Sequence, residues 1–344
     1  MKALKYQLFS LIIFVSFGHA CTDFLIKSEK GNAVVGRSME FGTFLGSEII
    51  FFPKGLKTTS TLNKGAKGLS WTNKYSYLAV NAFGMDMVVD GMNEKGLSFG
   101  ILWFPGAKYP SNGSNSIKKT IALEDVGNWI LGTFPNINEV KKGLKSISIQ
   151  AKTLPELNGV PPVHLSIHDT SGKSLTIEFL DGEMKVLDNP VGVLTNFPKL
   201  EWHLTNLRNY INLSALNKDA ISFDGSVFAP TGQGTGLLGI PGDWTPPSRF
   251  VKIAILKNFA EKAKTDGENI NLAFHLLNTI DIPYGVVRGS DSKDYDYTQW
   301  VVVKDLNELK LYYRTYRDLN IYFVDLKKEQ GKSTKKFLMQ GTNN

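Results

Sequence analysis

The chain has 344 residues and a single cysteine, Cys21. One thiol cannot form a disulfide within the chain, so a fold stapled by disulfides is excluded. A lone cysteine is incidental, pairs with another molecule, carries a lipid or reacts chemically. The fold must therefore rest on an apolar core, and with 42% hydrophobic residues the chain can build a large one.

No apolar run is long enough to be a good membrane span, which takes about 20 residues. The run at 8–17 follows two lysines and leads to a small-x-small cleavage pattern ending at Ala20. These features are typical of a signal peptide. We therefore predict a signal peptide over residues 1–20 and one mature domain over residues 21–344. The mature protein is expected to be periplasmic or secreted, without stable membrane insertion.

No patch of one charge stands out, although the formal net charge is +7. Basic residues alternate with acidic ones, as in 257–269, which favours a solvated surface and no nucleic-acid partner. His164 and His168 share one face of a predicted strand, but no HExxH motif or compact His/Asp cluster accompanies them. The sequence predicts neither a metal nor an organic cofactor.

Two glycine motifs lack the structural context that gives such motifs a function. Residues 96–100 match the G-x-S-x-G nucleophile elbow, but an apolar run ended by proline follows where a helix is required. We predict a buried strand there, and serine hydrolysis through Ser98 is the alternative. Residues 234–239 fit the dinucleotide fingerprint, but no strand precedes and no helix follows, so a loop is predicted.

The predicted elements run in the order strands, helices, strands, helices, strands. Strands are predicted in 21–41 on either side of a turn, at 47–53, 75–83, 85–93 and 96–104, two or three in 163–188, and at 298–306, 309–316 and 320–326. Helices are predicted at 116–134, 137–147, 201–212, 249–264 and 269–280. The lysine-rich run 327–336 is expected to be a soluble loop or tail. This order favours an α+β fold of antiparallel sheets with helices in separate layers.

The position of Cys21 suggests how its thiol could react. A thiol is a strong nucleophile only as thiolate, so some group must accept its proton. If cleavage follows Ala20, the α-amine of Cys21 lies within reach of the sulfur, and such amines have a pKa of about 7.7–8.0. No catalytic histidine is then required. An incidental cysteine and a lipid-carrying cysteine remain alternatives on spacing alone.

Several blocks, in order from Cys21 to about residue 325, resemble the choloylglycine hydrolase family. They read CTDF with GRSMEF, DGMNEKGL, GVLTNFP, EWHLTNLRNY and GIPGDWTPPSRF. This family comprises penicillin V acylases and conjugated bile salt hydrolases, which are N-terminal-nucleophile (Ntn) amidases. The resemblance implies a four-layer αββα sandwich of the Ntn-hydrolase type, with two antiparallel sheets between helix layers.

The resemblance also implies roles for individual residues. Cys21 falls on the nucleophile, and Arg37 falls on the arginine beside the sulfur, where a positive charge favours thiolate. Asn196 falls on the asparagine whose side-chain N–H binds the oxyanion. Arg249 falls on the second arginine of the site.

Two positions depart from the commonest family pattern. Glu40 replaces the usual Asp, which keeps the carboxylate on a stem one methylene longer. Trp103 stands where bile salt hydrolases tend to have Asn and some penicillin acylases Tyr. The family uses the backbone N–H of this residue in the oxyanion hole, and the indole offers a flat wall for an aromatic or aliphatic acyl group.

The sequence thus predicts an exported amidohydrolase that cleaves linear amide C–N bonds of small-molecule substrates. TNLRNY, GDWTPPSRF and IPYGVV favour the penicillin V acylase branch, with bile salt hydrolase or N-acyl homoserine lactone acylase as alternatives. The resemblance also implies a homotetramer. A lipid-anchored binding protein without hydrolase activity is the alternative from another class.

Overall fold

The first two strands, β1 (Cys21–Lys27) and β2 (Ala33–Glu40), form the predicted strand–turn–strand segment. The structure, a computed structural model, describes residues 20–111, 116–289 and 295–342. Gly31 lies in the turn with φ of +86°, a conformation that a residue without Cβ adopts at no steric cost. Both strands are buried along almost their whole length, because their sheet is covered on both faces.

The other strands of the described residues follow in chain order. They are β3 (Glu48–Phe52), β4 (Lys57–Thr61), β5 (Lys67–Thr72), β6 (Tyr77–Val80), β7 (Asp90–Asn93), β8 (Ser98–Trp103), β9 (Thr120–Ala122), β10 (Ser148–Gln150), β11 (Val163–His168), β12 (Ser174–Leu180), β13 (Glu183–Asp188), β14 (Val193–Leu194), β15 (Ile221–Phe223), β16 (Ser226–Phe228), β17 (Val287–Arg288), β18 (Tyr295–Asp296), β19 (Thr298–Asp305), β20 (Lys310–Thr315), β21 (Tyr322–Asp325) and β22 (Lys335–Leu338). The α-helices of the same residues are α1 (Val126–Thr133), α2 (Ile137–Leu144), α3 (Leu200–Asn206), α4 (Pro246–Phe259) and α5 (Asp266–Asn278).

Two large antiparallel sheets form the centre of the fold. One has the strand order β14-β1-β2-β19-β20-β21, and the other β13-β12-β11-β8-β7-β6-β3-β22. Helices α4 and α5 pack on the first sheet, and α1 and α2 pack on the second. The two sheets face each other, with β1 against β8. This is the predicted αββα arrangement, and it places the start of β1 between the sheets.

The predicted helix 116–134 and the predicted tail 327–336 are among the elements that are wrong in part. Within the predicted helix 116–134 only Val126–Thr133 is α-helical, because residues 120–122 form a parallel pair with β10 that takes up their backbone groups. The predicted tail 327–336 ends in a strand, since β22 pairs with β3 at the edge of the larger sheet. Its lysines suit an edge strand, where charge discourages pairing with other chains.

The two glycine motifs form the strand and the loop that the sequence predicts. Ser98 opens strand β8 and is buried, with no helix after it. Residues 234–239 form a loop that contains one short 3₁₀ turn. No helix within the described ranges is long and apolar enough to cross a membrane. The predicted signal peptide lies outside the described residues except for Ala20.

Candidate active site

Cys21 is the first residue of β1, and its side chain is only 2% exposed. Its Sγ lies 3.8 Å from Sδ of Met39, the residue opposite it on β2. The preceding residue, Ala20, extends the strand, because its carbonyl accepts a hydrogen bond of 2.9 Å from the backbone N–H of Glu40. The peptide bond between residues 20 and 21 is therefore held inside the sheet.

Arg249 ties the backbone of Cys21 to the first turn of α4. Two prolines at the start of this helix preset its backbone and place Arg249 in the first turn. One guanidinium nitrogen donates to the Cys21 carbonyl at 2.5 Å and to Oγ1 of Thr22 at 2.6 Å. The pKa of this buried arginine is lowered by desolvation, which its interactions with Glu40 and Cys21 oppose.

Asn196 joins the same network from the segment after β14. Its Oδ1 accepts hydrogen bonds of 2.7 Å from the backbone nitrogen of Cys21 and from Arg249. Its Nδ2 donates to the carbonyl of Trp103 at 2.7 Å. Because a guanidinium can only donate, the orientation of the Asn196 amide is determined by its partners.

Arg37, on β2, is completely buried between the two sheets. Its guanidinium donates to the carbonyls of Ile101 at 2.6 Å, Ser38 at 3.0 Å and Thr22 at 3.4 Å. Burial acts to lower the pKa of Arg37, but its interactions with Cys21 and with the carboxylates of Asp23 and Asp90 outweigh burial and raise the pKa. A fixed positive charge therefore lies beside the thiol.

Glu40 ends β2 and is also completely buried. Its Oε1 accepts a hydrogen bond of 2.9 Å from Oγ1 of Thr298, the residue opposite it on β19. Burial raises the pKa of Glu40 to about 7, although the positive charges of Arg249 and Arg37 act to lower it. This carboxyl group thus changes its charge near neutral pH.

An apolar cavity opens in front of Cys21. Besides Cys21, its walls include Met39, Phe41, Phe83, Val89 and Trp103. The rings of Phe41 and Trp103 meet edge to face at 5.9 Å. Its charged lining residues, Glu124 and Lys152, form an ion pair with each other. The cavity suits an apolar group.

The backbone of Trp103 also faces this region. The N–H of Ile101 donates to the Val89 carbonyl, and the N–H of Phe104 donates to the Pro162 carbonyl on the other edge of β8. Since backbone groups alternate along a strand, the Trp103 N–H points to the same edge as that of Ile101. Trp103 thus contributes an indole wall to the cavity, and its backbone N–H is directed toward the same side of β8.

The structure brings together all the predicted site residues: Cys21, Arg37, Glu40, Trp103, Asn196 and Arg249. Sequence reasoning missed Thr22, whose hydroxyl binds Arg249, and Met39, which contacts the thiol. It also missed Asp23, buried opposite Arg37. Strand alternation offered a signal for Asp23, because residues two apart on β1 share a face with Cys21.

The two histidines of β11 are buried and hold structural hydrogen bonds. His164 Nε2 lies 2.7 Å from the Thr195 carbonyl, and His168 Nε2 lies 2.5 Å from Oδ1 of Asp23. Among the described residues, no group of three or more His, Cys, Asp or Glu side chains is arranged to hold a metal ion.

Comparison with known proteins adds a family to this geometry. A family model described as linear amide C–N hydrolases, choloylglycine hydrolase family, matches residues 21–337. A bile salt hydrolase/transferase of Clostridium perfringens is 34% identical, over 90% of this chain and 93% of that protein. The crystal structure of a variant of the conjugated bile acid hydrolase from Clostridium perfringens has a TM-score of 0.84 and 31% identity, covering 93% of this chain and 97% of the other.

A penicillin V acylase of Pectobacterium atrosepticum is 27% identical, over 90% of this chain and 81% of that protein. The chain is thus more similar to the bile salt hydrolase than to this penicillin V acylase. The branch favoured by the three short motifs is not supported, because identity over most of the chain outweighs a few short blocks.

Proposed function

The chain belongs to the choloylglycine hydrolase family of linear amide C–N hydrolases, and on this basis we propose that Cys21 is its nucleophile once the bond after Ala20 is cut. The observation that carries the proposal is the placement of the only thiol of the chain. It lies at the wall of an apolar cavity, beside one buried arginine, with a second arginine on its carbonyl. Its backbone nitrogen is held by Asn196 at 2.7 Å.

The first half of the reaction forms a thioester. Cleavage turns the nitrogen of Cys21 into an amine, which Oδ1 of Asn196 can still hold, and this amine takes the thiol proton. The thiolate then attacks the amide carbonyl carbon of the substrate, and Arg37 supplies the positive charge that favours thiolate. The resulting ammonium gives its proton to the leaving nitrogen, so the C–N bond breaks and the acyl group stays on sulfur.

The oxyanion needs donors directed at the place where its charge develops. One N–H of Asn196 binds the Trp103 carbonyl, which leaves the second N–H of the same amide for the oxyanion. The backbone N–H of Trp103 is the other proposed donor. Water then attacks the thioester and passes a proton to the amine, the acid is released and the thiol is restored.

The cavity supports a substrate with a large apolar acyl group. We assign conjugated bile acids as the substrate class, because the walls beside Cys21 are apolar and would bind a hydrophobic body. Relatives named as bile salt hydrolases point the same way. Penicillin V is the second candidate, since the rings of Phe41 and Trp103 would contact an aromatic acyl group.

Export is part of the proposal. Two lysines, the apolar run 8–17 and the small residues before Cys21 support a signal peptide over residues 1–20, and hence a periplasmic or secreted enzyme. Removal of that peptide would create the catalytic amine. Export and activation would then be one event.

We also propose that one exposed segment is a contact surface between copies of the chain. We call residues 215–234 the arm; every one of them is exposed in the single chain. The arm carries the hairpin of β15 and β16, with Phe223 63% and Val227 69% exposed. An isolated two-stranded hairpin is marginal in water, and clustered exposed apolar side chains mark contact surfaces. A second copy of the chain is the proposed occupant, in line with the homotetramer implied by the resemblance.

The decisive experiment compares wild-type mature protein with Cys21→Ala on glycine- and taurine-conjugated bile acids, penicillin V and an N-acyl homoserine lactone. We expect hydrolysis by the wild type, fastest on the conjugated bile acids, and none by Cys21→Ala, with the thermal unfolding midpoint little changed. Hydrolysis retained by Cys21→Ala would refute the nucleophile. Faster hydrolysis of penicillin V would refute the substrate class but leave the nucleophile standing.

A further inference from the structure

A group of buried polar residues that the proposed reaction does not use lies beside Arg37. We call it the Asp23 cluster; its members are Asp23, Asp90, Ser166, His168 and Lys304. Each of these side chains is at most 1% exposed. They come from both sheets, with Asp23 on β1 and Lys304 on β19 facing the other three across the interface.

In each carboxylate of the cluster, one of the two oxygens has hydrogen-bond partners. Oδ1 of Asp23 accepts from Oγ of Ser166 at 2.7 Å and lies 2.5 Å from Nε2 of His168. Oδ1 of Asp90 accepts from Nζ of Lys304 at 2.5 Å. The second oxygen of both carboxylates and Nε of Arg37 are buried with no hydrogen-bond partner in the described part of the chain.

These charged groups converge at Gly100. A Cβ at this position would lie 3.3 Å from Oδ1 of Asp90, 3.4 Å from Oδ2 of Asp23 and 3.9 Å from Nε of Arg37. Asp23 is directly opposite Arg37 on the neighbouring strand, and Asp90 is directly opposite Gly100. Gly100 thus lies within van der Waals reach of all three charged groups.

Asp23 is the dependable negative charge of this group. Burial alone would raise the pKa of Asp23, but His168, Lys304 and Arg37 together hold it well below its ordinary value. Burial raises the pKa of Asp90 in spite of its contact with Lys304. Asp23 therefore stays ionised across the working range of pH.

The charge beside Arg37 changes during the proposed reaction. Cys21 is negative as a thiolate and uncharged as a thioester, whereas the buried guanidinium remains positive throughout. A buried cation that loses its counter-charge is destabilised in the low-dielectric interior. A permanent negative charge close by would keep Arg37 in place at the acyl-enzyme stage.

Resting on the proposed function, we propose that Asp23 is a positioning residue for Arg37. Its carboxylate, held by Ser166 and His168, is a fixed counter-charge that keeps the guanidinium beside Cys21 in both charge states of the sulfur. Asp23 is absent from the walls of the apolar cavity and is not a catalytic residue.

The charged and titratable groups around Arg37 determine what a pH profile will report. They are Cys21 and Asp23 on β1, Glu40 on β2, Asp90 on β7, His168 on β11, Lys304 on β19 and Arg249 on α4. Removing the negative charge of Asp23 leaves Arg37 less compensated. Whichever group of Cys21 must lose a proton, thiol or amine, then does so at lower pH.

The test is Asp23→Asn, which keeps the shape and removes the charge. We expect kcat at the pH plateau to fall about 10- to 100-fold, with KM within about 2-fold because Asp23 touches no substrate. The acidic limb of kcat/KM should move to lower pH by at least about half a unit. Asp305→Asn is the matched control, because Asp305 is a buried carboxylate next to Lys304 whose hydrogen bonds, in the part of the chain that the structure describes, come from turn N–H groups.

Wild-type kinetics in Asp23→Asn would overturn the proposal. A fall in kcat with the acidic limb of kcat/KM unmoved would also overturn the proposal, because a purely structural role predicts that result. Asp305→Asn would then show the same fall in kcat. Should Asp23→Asn fail to fold, Ser166→Ala removes one hydrogen bond that holds the Asp23 carboxylate without removing a charge, and a fall in kcat with KM retained is required of it. Failure of the proposed function is seen separately: wild-type protein would then hydrolyse no amide, or Cys21→Ala would remain active.

Discussion

Asn196 has contacts that would let one side chain serve both ends of the proposed reaction. Its oxygen is shared by Arg249 and the nitrogen of Cys21, and one of its N–H groups is bound to the carbonyl of Trp103. Three partners on a small amide leave it a single orientation. An oxyanion donor held in this way needs no reorganisation during the reaction, which is where such donors gain their effect.

Glu40 provides a pH prediction at the same scale. Its pKa is raised by burial from an ordinary value of 4.5 to about 7, so the folded chain binds more protons than the unfolded chain between these values. The stability that this group contributes is complete below about pH 4.5 and is lost as pH rises through about 7. Relative to Glu40→Gln, the free energy of unfolding should fall by up to about 3 kcal/mol over that range.

The measurement is denaturant unfolding of both chains from pH 4 to 8, each still carrying Ala20 as in the structure. Glu156→Gln, at an exposed position, is the control for a carboxyl in water. A difference between wild type and Glu40→Gln that stays flat across this range would contradict the raised pKa of Glu40.

At the scale of an element, the start of β1 combines a structural and a chemical role. The carbonyl of Ala20 pairs with Glu40, and the nitrogen of Cys21 binds Asn196, so the strand runs through the bond whose cleavage we propose. An amide nitrogen at this point has no useful basicity, whereas an amine does. Under the proposal, only a chain that begins at Cys21 carries a base there.

A chain that keeps Ala20 should therefore fold normally and hydrolyse at least about 10³-fold more slowly than a chain that begins at Cys21. Thermal unfolding of both proteins checks the first part and steady-state kinetics the second. The intact mass of the exported protein should correspond to a free Cys21 at the N-terminus. An added diacylglycerol mass, or full activity with Ala20 in place, would favour the lipid-anchored alternative or another base.

At the scale of the whole molecule, the arm is the feature that a single chain leaves unexplained. Phe223 and Val227 project from a hairpin whose residues are all exposed. We expect the wild type to have a multiple of the single-chain mass by light scattering. The double substitution Phe223→Ser and Val227→Thr should reduce it to one chain with an unfolding transition retained.

The control for this prediction is Leu319→Ser, because Leu319 is 70% exposed but lies outside the arm. It should leave the mass unchanged. A wild-type protein that already has the mass of one chain, or an assembled arm variant, would show that the arm is not the contact between copies.

The sequence by itself determined the kind of fold and most of its elements. Long buried strands such as β8 and β19 and amphipathic helices such as α5 have a pattern of apolar residues that is visible within the segment itself. The same reading failed for residues 120–122 and 335–338, because each is a strand only through a partner distant in sequence. Motif order also pointed to Arg37, Asn196 and Arg249 around Cys21, since each belongs to a local block.

Only the tertiary structure decided how those residues act on one another. That Asn196 turns its oxygen to Cys21 and its nitrogen to Trp103 depends on where α4 places Arg249. The raised pKa of Glu40 and the position of Asp23 beside Arg37 both depend on the packing of two sheets around charged side chains. Burial and proximity between distant segments set these properties, and neither is written in the local sequence.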